Sequence, residues 1–350
     1  MPQPLTGHYA CWGVTPGQFP KNASLQEQLR FLLGFAILAP STHNTQPWQF
    51  RITGSMVTFY LEPSRVLPAS DPAGREAYVS MGCTLENFLI ALAGFGFKAA
   101  VHYKDDLSLA PGTQKAPMVV CTVSVEIGGE PRDEDKRLCE ALPQRRSSRV
   151  PYGDDLPDAS LQTQLTSVVL PEVKLVLLQT SEQKKHAAEA VAAGSIIAFK
   201  NSAFGKELSH WIKHNWTSEP DGMPGFTVGM PGPVSLIAPK VLGMVNMGKM
   251  QAKMMREVVE ASPLLGVVCG LDNPANWLSA GRLAERAAIM LTSHGFGTSW
   301  FGAPVELDEV ALPLQRALGL PARPLVFFRI GKPTKDVPFA PRRSVSSCML

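Results

Sequence analysis

The sequence predicts an α+β protein built from two degenerate repeats, and three observations carry that reading. Helical and strand-like segments alternate, but hairpin-like strand pairs occur among them, which favours α+β over a doubly wound parallel sheet. SLQEQL at residues 24–29 returns as SLQTQL at 160–165, and ENFLIALAGFGF at 86–97 returns as ERAAIMLTSHGF at 285–296. Each copy of the second helix is followed by a Pro-led apolar run, PMVVCTVSV from Pro117 and PLVFFRIGKP from Pro324. The same order of helix, helix, Gly-terminated turn and strand thus occurs twice, the mark of a tandem duplication. Residues 1–142 form the first half and 143–350 the second. The offset between copies grows from 136 to 199, so the second half carries about 63 extra residues, placed near 200–262 as a helical and loop insertion. That stretch holds a Gly/Pro loop and seven of the 13 methionines, a flexible apolar surface that reads either as a movable lid or as an ordinary packing face.

Taken in order, residues 24–38 read as an amphipathic helix with Ser24 as N-cap. Strands follow at 48–52 and 56–61, joined through Thr53-Gly54-Ser55. Residues 76–95 make a long apolar helix that ends near Gly96, and 117–126 a strand. The second half reads as helix 159–168, strand 173–179, helix 182–199, helix 277–294 stopped by Gly295, and strand 324–330.

Composition narrows the function classes. With 350 residues, 33 Lys+Arg against 30 Asp+Glu, 45% hydrophobic and 18% charged residues, the chain is globular. Its near-neutral charge argues against a protein that tracks nucleic-acid phosphates. Six scattered cysteines without a C-x-x-C pair suit reduced thiols and a cytoplasmic location. The first residues lack the basic-then-apolar pattern of a signal peptide, and no stretch approaches eighteen uninterrupted apolar residues. The expected partner is a small molecule, with neither nucleic acid nor membrane.

Two motifs carry chemistry. PSTHNTQPW at 40–48 is a rigid polar loop whose Thr42, Asn44 and Gln46 either read the edge of a heterocyclic ring or bond backbone. RRSSR at 145–149 offers guanidinium forks and hydroxyls suited to a phosphate monoester, and Arg342-Arg343 adds two cations near the C-terminus. There is no complete G-x-G-x-x-G, P-loop, H-E-x-x-H or G-x-S-x-G. His210 and His214 stand four apart, as on one helix face, but without a third ligand they support no metal site.

PSTHNTQPW followed by Phe50 resembles the loop of nitroreductase-family flavoproteins, and RRSSR resembles that family's R-x-S-x-R segment. The reversed order of the two motifs, together with DPAGRE, DGMP, DNPANWLSAGRLAER and the closing PRRSV, resembles the Acg-type subgroup, in which a duplicated chain forms an intrachain pseudo-dimer. The resemblance spans roughly residues 24–346. It implies one FMN per chain, held by Pro40, Ser41, Thr42, Asn44 and Gln46 from the first half. Arg145, Ser147 and Arg149 take the phosphate, Gly302 and Ala303 the N5 edge, and Arg342 and Arg343 the basic closing position. It also implies NAD(P)H as reductant, a nitroaromatic or quinone acceptor, ping-pong turnover without a catalytic side chain, and a monomeric pseudo-dimer or weak homo-oligomer. The alternative it leaves open is a non-catalytic protein that sequesters FMN beneath the inserted lid.

Overall fold

In the computed structural model, which describes residues 5–108, 110–242 and 244–350, helix α1 (Leu25–Ala36) opens the first half. Ser24 and Glu27 form a reciprocal capping box at its start, satisfying N–H groups that would otherwise have no partner. β1 (Trp48–Thr53) and β2 (Met56–Leu61) make a hairpin in which Gly54 takes the positive φ of the two-residue turn. Then come α2 (Arg75–Gly94), β3 (Phe97–Tyr103), β4 (Met118–Ile127) and α3 (Asp133–Ala141).

The second half runs α4 (Ala159–Ser167), β5 (Val173–Leu178), α5 (Ser181–Lys200) and α6 (Ser202–Trp211). Two short paired strands follow, β6 (Ile212–Lys213) and β7 (Met223–Pro224), then α7 (Gly232–Leu242) and α8 (Gly248–Glu260). It closes with β8 (Leu264–Gly270), α9 (Pro274–Thr292), β9 (Gly297–Trp300), α10 (Ala303–Glu306), α11 (Asp308–Leu318) and β10 (Arg323–Gly331).

The two four-stranded sheets have the same plan. The first is ordered β1-β2-β4-β3 and the second β5-β8-β10-β9, all neighbours antiparallel. Strand for strand, one difference stands out: β1 and β2 are joined by a two-residue turn, β5 and β8 by residues 179–263. The stretch 200–262 lies inside that connection. This extra layer covers the outer face of the second sheet, where Leu178, Val259, Leu265, Val267 and Phe327 form a separate apolar cluster. Buried on both faces, β8 and β10 are apolar almost throughout.

The halves share one core through the crossing of α2 and α9. A Cβ on Gly82 would lie 2.1 Å from the Leu278 carbonyl oxygen, and one on Gly281 would lie 2.0 Å from that of Val79. Gly82 and Gly281 are 199 residues apart, as are Val79 and Leu278, so each close contact is the other's symmetry image. An approximate two-fold axis therefore passes between the helices. α2 is the one described helix long and apolar enough to cross a membrane, and 83% of that window is buried inside the protein. His210 and His214 do not share a helix face as their spacing suggested: α6 ends at Trp211, and the His214 ring turns back to accept the Trp216 N–H.

Candidate functional site

The loop after α1 is held in an unusual backbone. His43, Asn44 and Gln46 all adopt left-handed φ (51°, 58° and 53°), which costs each non-glycine residue about 1 kcal/mol or more. Polar bonds to two distant segments stabilise it. Asn44 Nδ2 donates to the carbonyls of Gly222 (2.9 Å) and Pro341 (3.0 Å), and its Oδ1 accepts from Arg342. Gln46 Nε2 donates to Pro220 O, and its Oε1 accepts the Arg343 N–H. These two amides therefore tie first-half loop, insertion and C-terminal tail together.

The RRSSR segment lies along the edge of the second sheet. Ser147 bridges Thr298 of β9, and the Ser148 N–H donates to Thr298 O at 2.7 Å. This places Arg145, Ser147 and Arg149 beside the loop. All three, with Pro40, Ser41, Asn44 and Arg342, line one cavity of about 130 Å³. Trp12, Pro338 and Ala340 add an apolar wall, and Met223, Phe226 and Thr227 of the insertion close over it. Arg149, accessible from the cavity, donates to Thr227 O (3.3 Å) and to Met223 Sδ (3.8 Å).

Five nominated residues do not line this cavity. Thr42 donates to Glu76, and Gln46 makes the ties above. Gly302 and Ala303 begin α10, where the Glu306 carboxyl sits against Gly302. Arg343 is committed to Glu62 at 2.9 Å and to the Gln46 and Ser347 carbonyls. Trp12 was missed because nothing near it in sequence marks a site; it reaches the cavity by stacking on Arg342, 4.8 Å from ring centroid to guanidinium carbon.

The cavity is lined by Arg145, Arg146, Arg149 and Arg342 and is strongly positive. Arg145 is 1% exposed, donates to Leu38 O and lies 2.9 Å from Glu285, yet its Nη1 has no hydrogen-bond partner among the described residues. The Nε atoms of Arg342 and Arg146 are likewise unpartnered. Burial, aided by repulsion from Arg145, pushes Arg342 down to about 9. Arg149 is pushed below its ordinary value by the protein packed around its still accessible side chain and by the Arg329 charge. Buried cations without enough counter-charge are costly, and an incoming phosphate would relieve that cost.

Glu285, the carboxylate 2.9 Å from Arg145, is itself weakly acidic. Burial raises Glu285 to about 7 against the pull of Arg145. Its symmetry counterpart Glu86, 199 residues earlier, is treated oppositely. Burial raises it too, but Arg286 and Arg282 outweigh burial and hold it below the usual carboxylate range. The positions matching those arginines on α2 are Cys83 and Asn87. The duplication is thus broken beside the basic cavity.

No protein-family model matches the chain. Two curated relatives from Mycobacterium tuberculosis match nearly all of it. "Putative NAD(P)H nitroreductase Rv3131" is 26% identical over 340 residues, 91% of this chain and 90% of that one. "Putative NAD(P)H nitroreductase acg" is 25% identical over 346 residues, 93% of this chain and 96% of that one. Among solved structures, the FMN and NADPH-dependent nitroreductase NfnB from Sphigopyxis sp. strain HMH aligns with 60% of this chain and 96% of its own, at 18% identity and a TM-score of 0.39. Over nine-tenths of its length this chain is thus similar to two proteins named as putative NAD(P)H nitroreductases, one of them acg.

Proposed function

We propose that this protein is an FMN-dependent NAD(P)H oxidoreductase that binds one FMN per chain and passes its electrons to a small nitroaromatic or quinone-type acceptor in alternating half-reactions. The observation that carries the reading is the composite cavity. First-half Ser41 and Asn44 meet second-half Arg145, Ser147, Arg149 and Arg342 there, with unpartnered guanidinium nitrogens among them.

The donor set fits the phosphate end of FMN. Arg145, Arg149 and Arg342 supply the charge-assisted donors and Ser147 a neutral one. The volume fits less than the whole group: about 130 Å³ compares with about 300–1,000 Å³ for pockets that enclose a drug-sized ligand. Residues 220–229 must therefore withdraw from Asn44, Gln46 and Arg149 to admit the ring. When bound, FMN supplies two-electron redox chemistry; the chain binds, orients and shields it. The six free cysteines, five of them buried, belong with a reducing cytoplasm.

The test is the visible spectrum of the protein after loading with FMN, followed in one cuvette under anaerobic NAD(P)H. The expected result is one flavin per chain whose absorbance bleaches with NAD(P)H and returns with acceptor. A band that persists until dithionite is added overturns turnover and leaves a flavin-holding protein. Failure to retain FMN overturns the cofactor itself. The Arg149→Ala variant, whose side chain lines the cavity rather than the core, should weaken FMN binding by about 1.5–3 kcal/mol in a fluorescence titration. Unchanged affinity removes RRSSR from the phosphate site.

A further inference from the structure

The part of the insertion that closes the basic cavity is tied together within itself. β6 pairs with β7, Asn215 Oδ1 accepts the Phe226 N–H (2.7 Å), and Asn215 Nδ2 donates to Met230 O (3.1 Å). Residues 212–230 therefore act as one body, a cover whose Met223, Phe226 and Thr227 face the cavity. Three consecutive residues seam this cover to the first half. Pro220 O accepts from Gln46 Nε2 (2.8 Å), and Gly222 O accepts from Asn44 Nδ2 (2.9 Å). The Gly222 N–H donates to Asn44 O (3.2 Å). Between them, Asp221 Oδ2 meets Arg65 Nη1 at 2.8 Å. Directly over the cavity the contacts are longer, 3.3 Å and 3.8 Å from Arg149 to Thr227 O and Met223 Sδ. A separate tie lies on α6, where Glu207 accepts the Ala69 and Ser70 N–H groups.

Three of the four ties across the seam are neutral amide bonds, which exchange with water at modest net cost. The fourth is charged. Among the described residues it is the one ion pair that joins residues 200–262 to the first half. Its side chains are 19% and 16% exposed, so salt screens it less than a surface pair. Arg65 is positioned without the cover: it donates to Thr45 O (2.9 Å) and pairs with Glu62 (3.2 Å), which also holds Arg343. When the cover lifts, Arg65 keeps both partners and the Asp221 carboxylate goes to water, so the pair can break without leaving a buried charge alone. We propose that Asp221 and Arg65 are the latch of this cover: their ion pair sets how often residues 212–230 lift from the basic cavity, and so how fast a ligand enters or leaves it. The DGMP segment then has a role, with Asp221 latching, Gly222 bonding across the seam and Met223 closing the cavity. That the ligand so gated is the cofactor rests on FMN being the occupant; the latch does not.

The test is residue-level hydrogen–deuterium exchange of the full chain without flavin. The Gly222 N–H crosses the seam and reports each opening, whereas the Phe226 N–H is bonded within the cover. Asp221→Asn keeps the side chain's shape and removes its charge. It should speed exchange at Gly222 by about tenfold or more, as loss of one charge-assisted bond does. Phe226 and the helices α2 and α9 should exchange as in the parent. In the Asp221→Asn background, Arg65→Gln should add little, because both changes remove the same pair. Unchanged exchange at Gly222 overturns the latch. Acceleration that extends equally to Phe226, or to α2 and α9, overturns it in favour of local melting or a global loss of stability. Fully additive effects of the two variants overturn the pairing. With FMN added at rising concentration, the loading rate should level off at the opening rate, and that plateau should be higher in Asp221→Asn. An unchanged plateau overturns control of entry. If the parent retains no FMN, the cofactor assignment fails, and exchange at Gly222 still decides the latch.

Discussion

Glu285 shows how one side chain ties the basic cavity to pH. Its pKa of about 7 lies above the ordinary 4.5, so the folded state holds this proton more tightly than the unfolded chain. The stability it contributes is fully present below about pH 4.5 and is lost as pH rises through 7. On the order of a few kcal/mol is at stake, since each pKa unit is worth about 1.4 kcal/mol. Glu285→Gln mimics the protonated form. Its Tm should change less between pH 5 and 7 than that of the parent, as read by thermal denaturation across that range. Equal slopes in the two proteins would show that Glu285 does not titrate there. Nothing in ERAAIMLTSHGF marks Glu285 as different from Glu86. The difference arises because Arg145 arrives from a distant segment, whereas Glu86 receives Arg282 and Arg286 from the facing helix.

Among the elements, the α2–α9 crossing is the most demanding. Both glycines abut backbone carbonyl oxygens, which cannot rotate away as a side-chain tip can. Gly82→Ala and Gly281→Ala should each force the helices apart and cost roughly 1–3 kcal/mol or more. Because the contacts are symmetry images, the two losses should be similar, and urea denaturation of both variants checks this. A neutral effect of either would mean the helices can shift freely past one another. Ten of the 21 labelled helices and strands were individually legible from local pattern. The capping box starts α1 one residue after the predicted N-cap, the Gly54 turn joins β1 to β2, and Gly295 follows the end of α9. α9 itself begins at Pro274, earlier than its apolar run suggests, because Asn273 caps it and proline suits the first helical position. β8 was not foreseen: LLGVVCG has no alternation, since helices cover both faces of its sheet.

For the whole molecule, duplication explains both the doubled fold and the proposal of a single site. The first half supplies the strained loop and the second the arginines. At the symmetry-related place, the chain passes from α4 to β5 through residues 168–172, too short for a second such loop. The proposed stoichiometry of one FMN follows from that asymmetry. The sequence by itself determined the repeats, about half of the helices and strands, the polar loop and the basic triplet, because each is written in local spacing and side-chain chemistry. Only the tertiary structure decided that Asn44 and Gln46 spend their amides on the insertion and the tail. It also decided that Arg343 turns to Glu62, and that α7 leaves Val234, Leu236, Ile237 and Val241 exposed. The reason is physical: a side chain's partners come from residues more than a hundred positions away, and which face of a helix is covered depends on what packs against it.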